Sequence, residues 1–255
     1  KTTISMIAID EAHCLSQWGH DFRPSYQLIY PFIRQLPKRP LIGAFTATAT
    51  PEVKDDIINL LGLYHPNIQV SGFDRPNLYF NVLRGENKQK FILHYVKTHA
   101  SQSGIIYAAT RKEVDAIFAL LSSKGYKAGH YHAGLSDEER IREQDRFLYD
   151  DIQVMVATNA FGMGIDKSNV RYVIHYNMPR NMEAYYQEAG RSGRDGEPGE
   201  CTLLFSPQDT MLQKFLIDKS VENPDRKQHE LSKLQMMVDY CHTPNCLRNY
   251  IISYF

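Results

Sequence analysis

Apolar and polar positions alternate along this chain in two rhythms. Short apolar runs rich in β-branched residues recur at SMIAID, LIGAFT, SGIIYA, IQVMVAT and VRYVIHY. Runs of this length and composition predict buried strands, and the segments between them carry the three-to-four-residue apolar spacing of helices. Strand and helix in alternation predict parallel sheets, so the expected class is α/β. Helix starts are marked by their caps. Thr50 followed by Pro51 opens EVKDDIINLLG, which Gly62 ends, and Ser136 with Glu139 forms a capping-box signature ahead of DEERIREQDRF. Glycine and proline interrupt the alternation at SGFDRPNLYF, residues 71–80, which predicts a hinge. Beyond about residue 206 the strand pattern stops and the chain reads as helical and polar, with DKSVENPDRKQHE as a loop between two helical stretches. The expected division is 1–72, 73–206 and 207–255. Two successive α/β units fit this spacing; no short-period repeat or low-complexity tract is present.

Composition narrows the picture only slightly. A chain of 255 residues with 43% apolar content is long enough for two compact domains or one large one. Lysine plus arginine match aspartate plus glutamate at 29 each, so any basic binding surface must be local. The four cysteines, Cys14, Cys201, Cys241 and Cys246, are too few and scattered for a disulfide framework, which points to a reducing, intracellular compartment. No apolar run reaches the ~20 residues of a membrane span, and the first residues lack the form of a signal peptide. A start without methionine, almost directly in a strand, suggests an internal piece of a longer protein.

Three segments carry candidate chemistry. In IAIDEAHCLSQWGHDFRP, residues 7–24, a carboxylate pair closes a buried strand. In parallel sheets ligands bind at that end, where Asp10 can hold Mg²⁺ and Glu11 can orient or deprotonate a water; solvated acids in a plain turn are the alternative. His13 follows, and then Trp18, Phe22 and Arg23 among polar neighbours. Neither the helix period nor the strand period buries both aromatics while leaving those neighbours wet, so a solvent-reaching loop is expected, with ring faces available to unpaired bases. YYQEAGRSGRDG, residues 185–196, places Gln187, Arg191 and Arg194 at the end of a helix. Two arginines three apart can face one polyanion, or can simply be salt-paired at a helix terminus. VATNAFGMGIDKSNV, residues 156–170, follows a strand with Thr158, Gly162, Gly164 and Asp166, a glycine-rich turn that lets backbone approach a phosphate or sugar.

Taken in order, DEAH, TATAT, SGIIYAATRKEVD, YHAGLS, ATNAFGMGIDKSNVR and YYQEAGRSGRDG resemble motifs II to VI of superfamily 2 helicases, and DEAHCLSQWGHDFRP resembles the RecQ family of DNA helicases in particular. The resemblance covers residue 4 to the end. It implies the end of a first RecA-like domain, a complete second one, and the helical start of a zinc-binding region. ATP and Mg²⁺ would lie between the RecA-like domains and DNA would cross both. Asp10 (through water) would serve the metal, Glu11 and His13 the hydrolytic site, Arg194 would be the arginine finger with Arg191 beside it, and Gln187 would stand near the attacking water. Gly164 and Asp166 would approach the nucleotide. Thr46 and Thr48 would couple hydrolysis to strand separation. Trp18, His20, Phe22, Arg23, Thr110, Arg111 and Thr158 would meet nucleic acid. Cys246 would be the first ligand of a Zn²⁺ site completed elsewhere, since Cys241 and His242 alone cannot close a tetrahedral site. The implied activity is ATP-dependent 3′–5′ DNA unwinding in repair and recombination. Its implied partners are single-stranded and partly duplex DNA, single-strand-binding protein and other repair proteins, not membrane. The implied location is cytoplasm and nucleoid, or nucleus.

One departure counts against activity of these residues alone. No glycine-lysine pair occurs in the chain, so the G-x-x-x-x-G-K-[ST] phosphate cradle is missing from it. A metal-dependent hydrolase using Asp10, Glu11 and His13 would leave the later motifs unexplained. A non-catalytic nucleic-acid-binding module and an RNA-directed DEAH or DEAD-box relative are the other readings, the last disfavoured by QWGHDFRP and the cysteine-bearing tail.

Overall fold

The computed structural model describes residues 3–19, 21–162 and 165–255. All its strand pairings are parallel. A two-stranded sheet joins β1 (Met6–Ile9) to β2 (Leu41–Ala44), with α1 (Ile29–Gln35) and α2 (Pro51–Leu60) beside it. A six-stranded sheet follows in the order β3 (Leu78–Arg84), β8 (Gly199–Phe205), β7 (Val170–His175), β4 (Ser103–Tyr107), β6 (Val154–Ala157), β5 (Ala128–Tyr131). The helices that cross between its strands are α3 (Lys88–Thr98), α4 (Arg111–Ser123), α5 (Asp137–Leu148) and α6 (Met182–Ala189). The chain ends in α7 (Pro207–Ser220), α8 (Pro224–His242) and α9 (Leu247–Tyr254).

The period of two along the strands explains the layers. Ile106, Val154, Val156, Tyr172 and Ile174 face α3 and α4, whereas Ile105, Tyr107, Met155, Ala157 and Val173 face the opposite side with Phe147, Phe161 and Ile165. A parallel sheet buries both faces, which is why these strands read as unbroken apolar runs. A third cluster joins Leu78, Cys201, Leu203 and Phe205 to Tyr185 of α6, Ile217 of α7, Leu234, Met237 and Tyr240 of α8, and Ile251 of α9. The three C-terminal helices therefore pack directly on the β3–β8 edge.

Local signals mostly hold. Thr50 accepts the Val53 amide at 3.5 Å with Pro51 beginning the helix, and Ser136 and Glu139 form the reciprocal capping box. The expected loop over residues 218–230 does not form. Only Val221, Glu222 and Asn223 separate α7 from α8. The Asn-Pro pair that reads as a turn is instead a helix start, with the Asn223 side chain accepting the Arg226 amide at 3.0 Å and Pro224 at the first helical position. No described helix is long and apolar enough to cross a membrane.

Asn223→Ala should therefore lower stability by about 1 kcal/mol, the usual worth of such a cap. A reduced urea midpoint at unchanged slope is the expected result, and an unchanged midpoint would show that the cap contributes nothing.

Candidate functional site

Strand β1 delivers Asp10 and Glu11 to the edge of a turn of 3-10 helix, Ala12–Leu15. Glu11 holds the left-handed region at φ 48°, and its amide donates to Asp10 Oδ1 at 2.9 Å. Non-glycine residues pay for that conformation, and here it turns one carboxylate out and the other in. Asp10 is exposed, while Glu11 is partly covered. Burial, followed by the neighbouring charge of Asp10, raises the Glu11 pKa above the ordinary glutamate value and makes it a better proton acceptor once ionised. His13 lies buried behind it, with Nδ1 3.3 Å from Glu11 Oε2 and 3.0 Å from Thr46 Oγ1. Thr46 also accepts the Thr48 amide at 3.3 Å, so Thr48, Thr46 and His13 form a hydrogen-bonded chain to the carboxylate.

The second arm comes from the larger sheet. Gln187 of α6 donates from Nε2 to Glu11 Oε1 at 3.4 Å, a contact 176 positions apart in sequence. One turn later Arg191 is buried, its charge reaching Glu11. Gly162 lies against it, and a Cβ there would meet the Arg191 Nη2 at 2.6 Å. Arg194 donates to the Ile165 carbonyl at 2.9 Å and stands 3.8 Å from the exposed Asp166 carboxylate. Burial, and then the like charge of Arg191, lower the Arg194 pKa, against the opposing pull of the exposed Asp166 carboxylate. The arrangement can receive a polyanion, polarise it with two guanidiniums, and present a carboxylate to a water. Asp10, exposed and with one oxygen engaged, suits a hydrated Mg²⁺.

Two residues that sequence reasoning missed hold this loop. Arg75 donates to the Gly190, Ser192 and Gly193 carbonyls at 3.3, 3.1 and 3.0 Å. Asn77 donates to Gly193 and Glu197, both at 2.8 Å. The only sequence signal was a charged and an amide side chain flanking Pro76 in the expected hinge.

The expected nucleic-acid residues divide. Thr110 and Thr158 follow β4 and β6, which are paired strands, so both lie on one edge with the exposed Arg111. Thr110 is also the cap of α4: its hydroxyl accepts the Glu113 amide at 3.2 Å and donates to Glu113 Oε2 at 2.9 Å. The aromatic loop is not the solvent-reaching segment expected. Trp18 and Phe22 are half-buried, with Trp18 5.1 Å from the His229 ring and Phe22 5.0 Å beneath the Arg226 guanidinium. The pattern failed because the covering residues lie some 200 positions away on α8. The Arg23 guanidinium donates to Asp21 through Nε at 3.0 Å and through Nη2. His20 and Gly164 lie outside the described residues. Cys246 is exposed at the start of α9, while Cys241 is buried in the core with its thiol pushed up by burial. His242 turns its Nδ1 to the Val238 carbonyl at 2.8 Å. One exposed thiol does not make a Zn²⁺ site, so these residues do not fit that ion by themselves.

Three family descriptions match the chain: DEAD/DEAH box helicase over residues 2–56, helicase conserved C-terminal domain over 87–196, and RecQ zinc-binding over 207–255. An ATP-dependent DNA helicase RecQ of Bacillus subtilis is 56% identical over 252 residues, covering 99% of this chain and 42% of the relative. The corresponding protein of Pasteurella multocida is 43% identical over 253 residues, covering 99% and 40%. The RecQ-like DNA helicase BLM of Xenopus laevis is 43% identical over 258 residues, covering 99% and 19%. The chain thus spans about two fifths of the bacterial relatives. Among solved structures, S. cerevisiae Dbp5 bound to RNA and ADP BeF3 superimposes with a TM-score of 0.67 at 19% identity, over 92% of this chain and 64% of that one. That likeness supports the fold.

Arg75→Ala should loosen the arginine loop while leaving the sheet intact. Amide exchange at residues 190–196 is expected to accelerate about tenfold or more, the worth of one charge-assisted hydrogen bond. Unchanged protection there would show that Arg75 does not brace the loop.

Proposed function

The chain belongs to the RecQ family of helicases, and from that premise we propose that it forms part of an ATP-dependent DNA helicase that couples ATP hydrolysis to strand separation. The observation that carries this reading is the Gln187 to Glu11 contact, 3.4 Å long, which brings the carboxylates after β1 and the arginines after α6 towards one point. The proposed division of labour follows the expected boundaries: residues 1–72 supply the carboxylates, 73–206 the arginines and the nucleic-acid edge, and 207–255 the start of a zinc-binding region.

ATP with Mg²⁺ supplies the phosphoanhydride whose cleavage drives the cycle. Asp10 would hold a hydrated Mg²⁺, which would offset the charge of the phosphates. Glu11 accepts the proton of a water that Gln187 orients, and His13 and Thr46 fix the position of Glu11. Arg194 and Arg191 place positive charge where negative charge accumulates, so they act on the transition state more than on binding. Thr110, Arg111 and Thr158 share one edge, where the exposed Arg111 guanidinium suits a phosphodiester backbone, while Thr110 already donates its hydroxyl proton to Glu113 and Thr158 is buried. Unwinding in the 3′–5′ direction, repair and recombination as the setting, and single-strand-binding protein as a companion belong to the same proposal and rest on family membership alone.

In a protein that carries this sequence together with a phosphate-binding loop, Arg194→Ala should leave nucleotide affinity within a few-fold and lower DNA-stimulated turnover by about 10³-fold or more. Parallel losses of affinity and turnover would remove Arg194 from that role. The 255-residue chain, which contains no G-x-x-x-x-G-K-[ST], is expected to release no phosphate from ATP with or without single-stranded DNA. DNA-stimulated release by that chain would contradict the assignment of phosphate binding to a separate segment.

A further inference from the structure

Arg191 is 7% exposed, and its Nε is buried without a hydrogen-bond partner. A buried guanidinium whose Nε bonds to nothing keeps its direction only if the surfaces around it are fixed. Two such surfaces flank it. One is the turn after β6, where a Cβ on Gly162 would stand 2.6 Å from Arg191 Nη2 and 3.2 Å from its Cζ. The other is the end of α6, where the Arg191 amide donates to the Glu188 carbonyl at 3.2 Å.

Tyr107, the last residue of β4, reaches both supports. Its hydroxyl donates to the Phe161 carbonyl at 2.8 Å, one residue before Gly162. The turn passes that hold onward: the Ile165 amide donates to the Gly162 carbonyl at 3.2 Å, and the Ile165 carbonyl accepts from Arg194 at 2.9 Å. The ring of Tyr107 stacks on His175, its partner in register on β7, with centroids 5.6 Å apart. His175 Nε2 then bonds Glu188 Oε2 at 2.9 Å, on the residue that follows Gln187. One side chain therefore stands between the glycine turn and the helix end that together enclose Arg191.

The phenol is suited to act as a fixed strut. Burial pushes its pKa above the ordinary tyrosine value, against the charge of Arg191, so the hydroxyl remains a donor. His175 Nδ1 is buried without a partner. Such an orphan carries a desolvation cost that an apolar pair on β4 and β7 would avoid, so burial of surface does not by itself account for this stack.

We propose that Tyr107 is a positioning residue for Arg191, holding the turn at Gly162 and the end of α6 at a fixed separation so that the guanidinium faces the phosphates. It acts through its neighbours and not on the reacting atoms. This rests on the helicase reading above and extends the arginine site to the end of β4.

Tyr107→Phe tests the role, because only the hydroxyl is lost. In the 255-residue chain, exchange of the Arg191 Nε proton with water, followed by nitrogen-15 NMR, should accelerate about tenfold, with far-ultraviolet circular dichroism unchanged. In a protein that carries this sequence with a phosphate-binding loop, DNA-stimulated turnover should fall about tenfold, while KM for ATP stays within about twofold. Introduced into Arg191→Ala and read under single-turnover conditions, the same change should slow hydrolysis no further. Unaltered Nε exchange would show that the phenol does not hold the guanidinium. A lowered thermal midpoint with full turnover per folded molecule would make Tyr107 structural only. Losses that multiply in the double variant would mean that it acts independently of Arg191, and each of these three results overturns the proposal. Absence of ATP hydrolysis by the unaltered protein would sink the helicase reading and this role together, and it is seen before any variant is made.

Discussion

A parallel sheet has no face to spare for water, and that requirement organises everything else in this chain. Each strand must return by a crossover to the same end before the next begins, so the carboxyl ends of β4, β6 and β7 collect on one edge. Thr110 and Thr158 lie on that edge because apolar burial put the strands there. The chemistry is borrowed from a geometry that packing alone enforces. Covering the β3–β8 end of the sheet then calls in α7, α8 and α9, which is how a helix from the last quarter of the chain comes to lie against a loop from its first tenth.

Buried charges record where these pieces meet. Lys88 donates to the Tyr176 carbonyl at 2.6 Å and to both Asp209 oxygens, while Asn177 bridges Asp209 and Glu113. That node joins the starts of α3, α4 and α7 at the end of β7. Lys233 with Glu183 and Arg180 with Glu230 do the same for α8 with α6 and with the segment that leads into α6. Such pairs add little net stability against their desolvation, yet losing one partner leaves an uncompensated charge, so they penalise misdocking more than they reward docking. The contacts around the candidate site therefore depend on correct packing of distant helices.

The candidate site is an electrostatic imbalance to which its own brace, the Arg75 guanidinium, adds positive charge. Arg191 and Arg194 are close enough for each to oppose the other's charge, and the braces that hold them, from Arg75 and Asn77, end on backbone carbonyls. Carbonyls orient a loop without cancelling the positive field that an anion would meet. Glu11 shows the converse: burial raises its pKa while His13 and Gln187 fix its direction. Reactivity and placement are set by different neighbours.

The class, the larger motifs and five of the eight described strands, β1, β2, β4, β6 and β7, were legible because each depends on short-range rules. A period of two buried Ile106 on one face and Ile105 on the other, and Ser136 with Glu139 announced a helix start, from residues a few positions apart. Asp10, Glu11, Gln187, Arg191 and Arg194 were likewise readable, since carboxylates after a strand and arginines in a glycine-broken helix advertise their chemistry locally. The Asn223 cap was misread as loop because Asn-Pro serves both uses, and only the packing of α8 on the sheet chooses between them. Trp18 and Phe22 could be recognised as unfit for either local period, but not that α8 would cover them. Arg75 could not be assigned to a loop more than a hundred positions away. Sequence alone determined which residues can do what, because side-chain chemistry and backbone period are local properties. Tertiary structure decided which of them meet, because contacts such as Gln187 with Glu11 and His229 with Trp18 exist only once the apolar faces have been buried together.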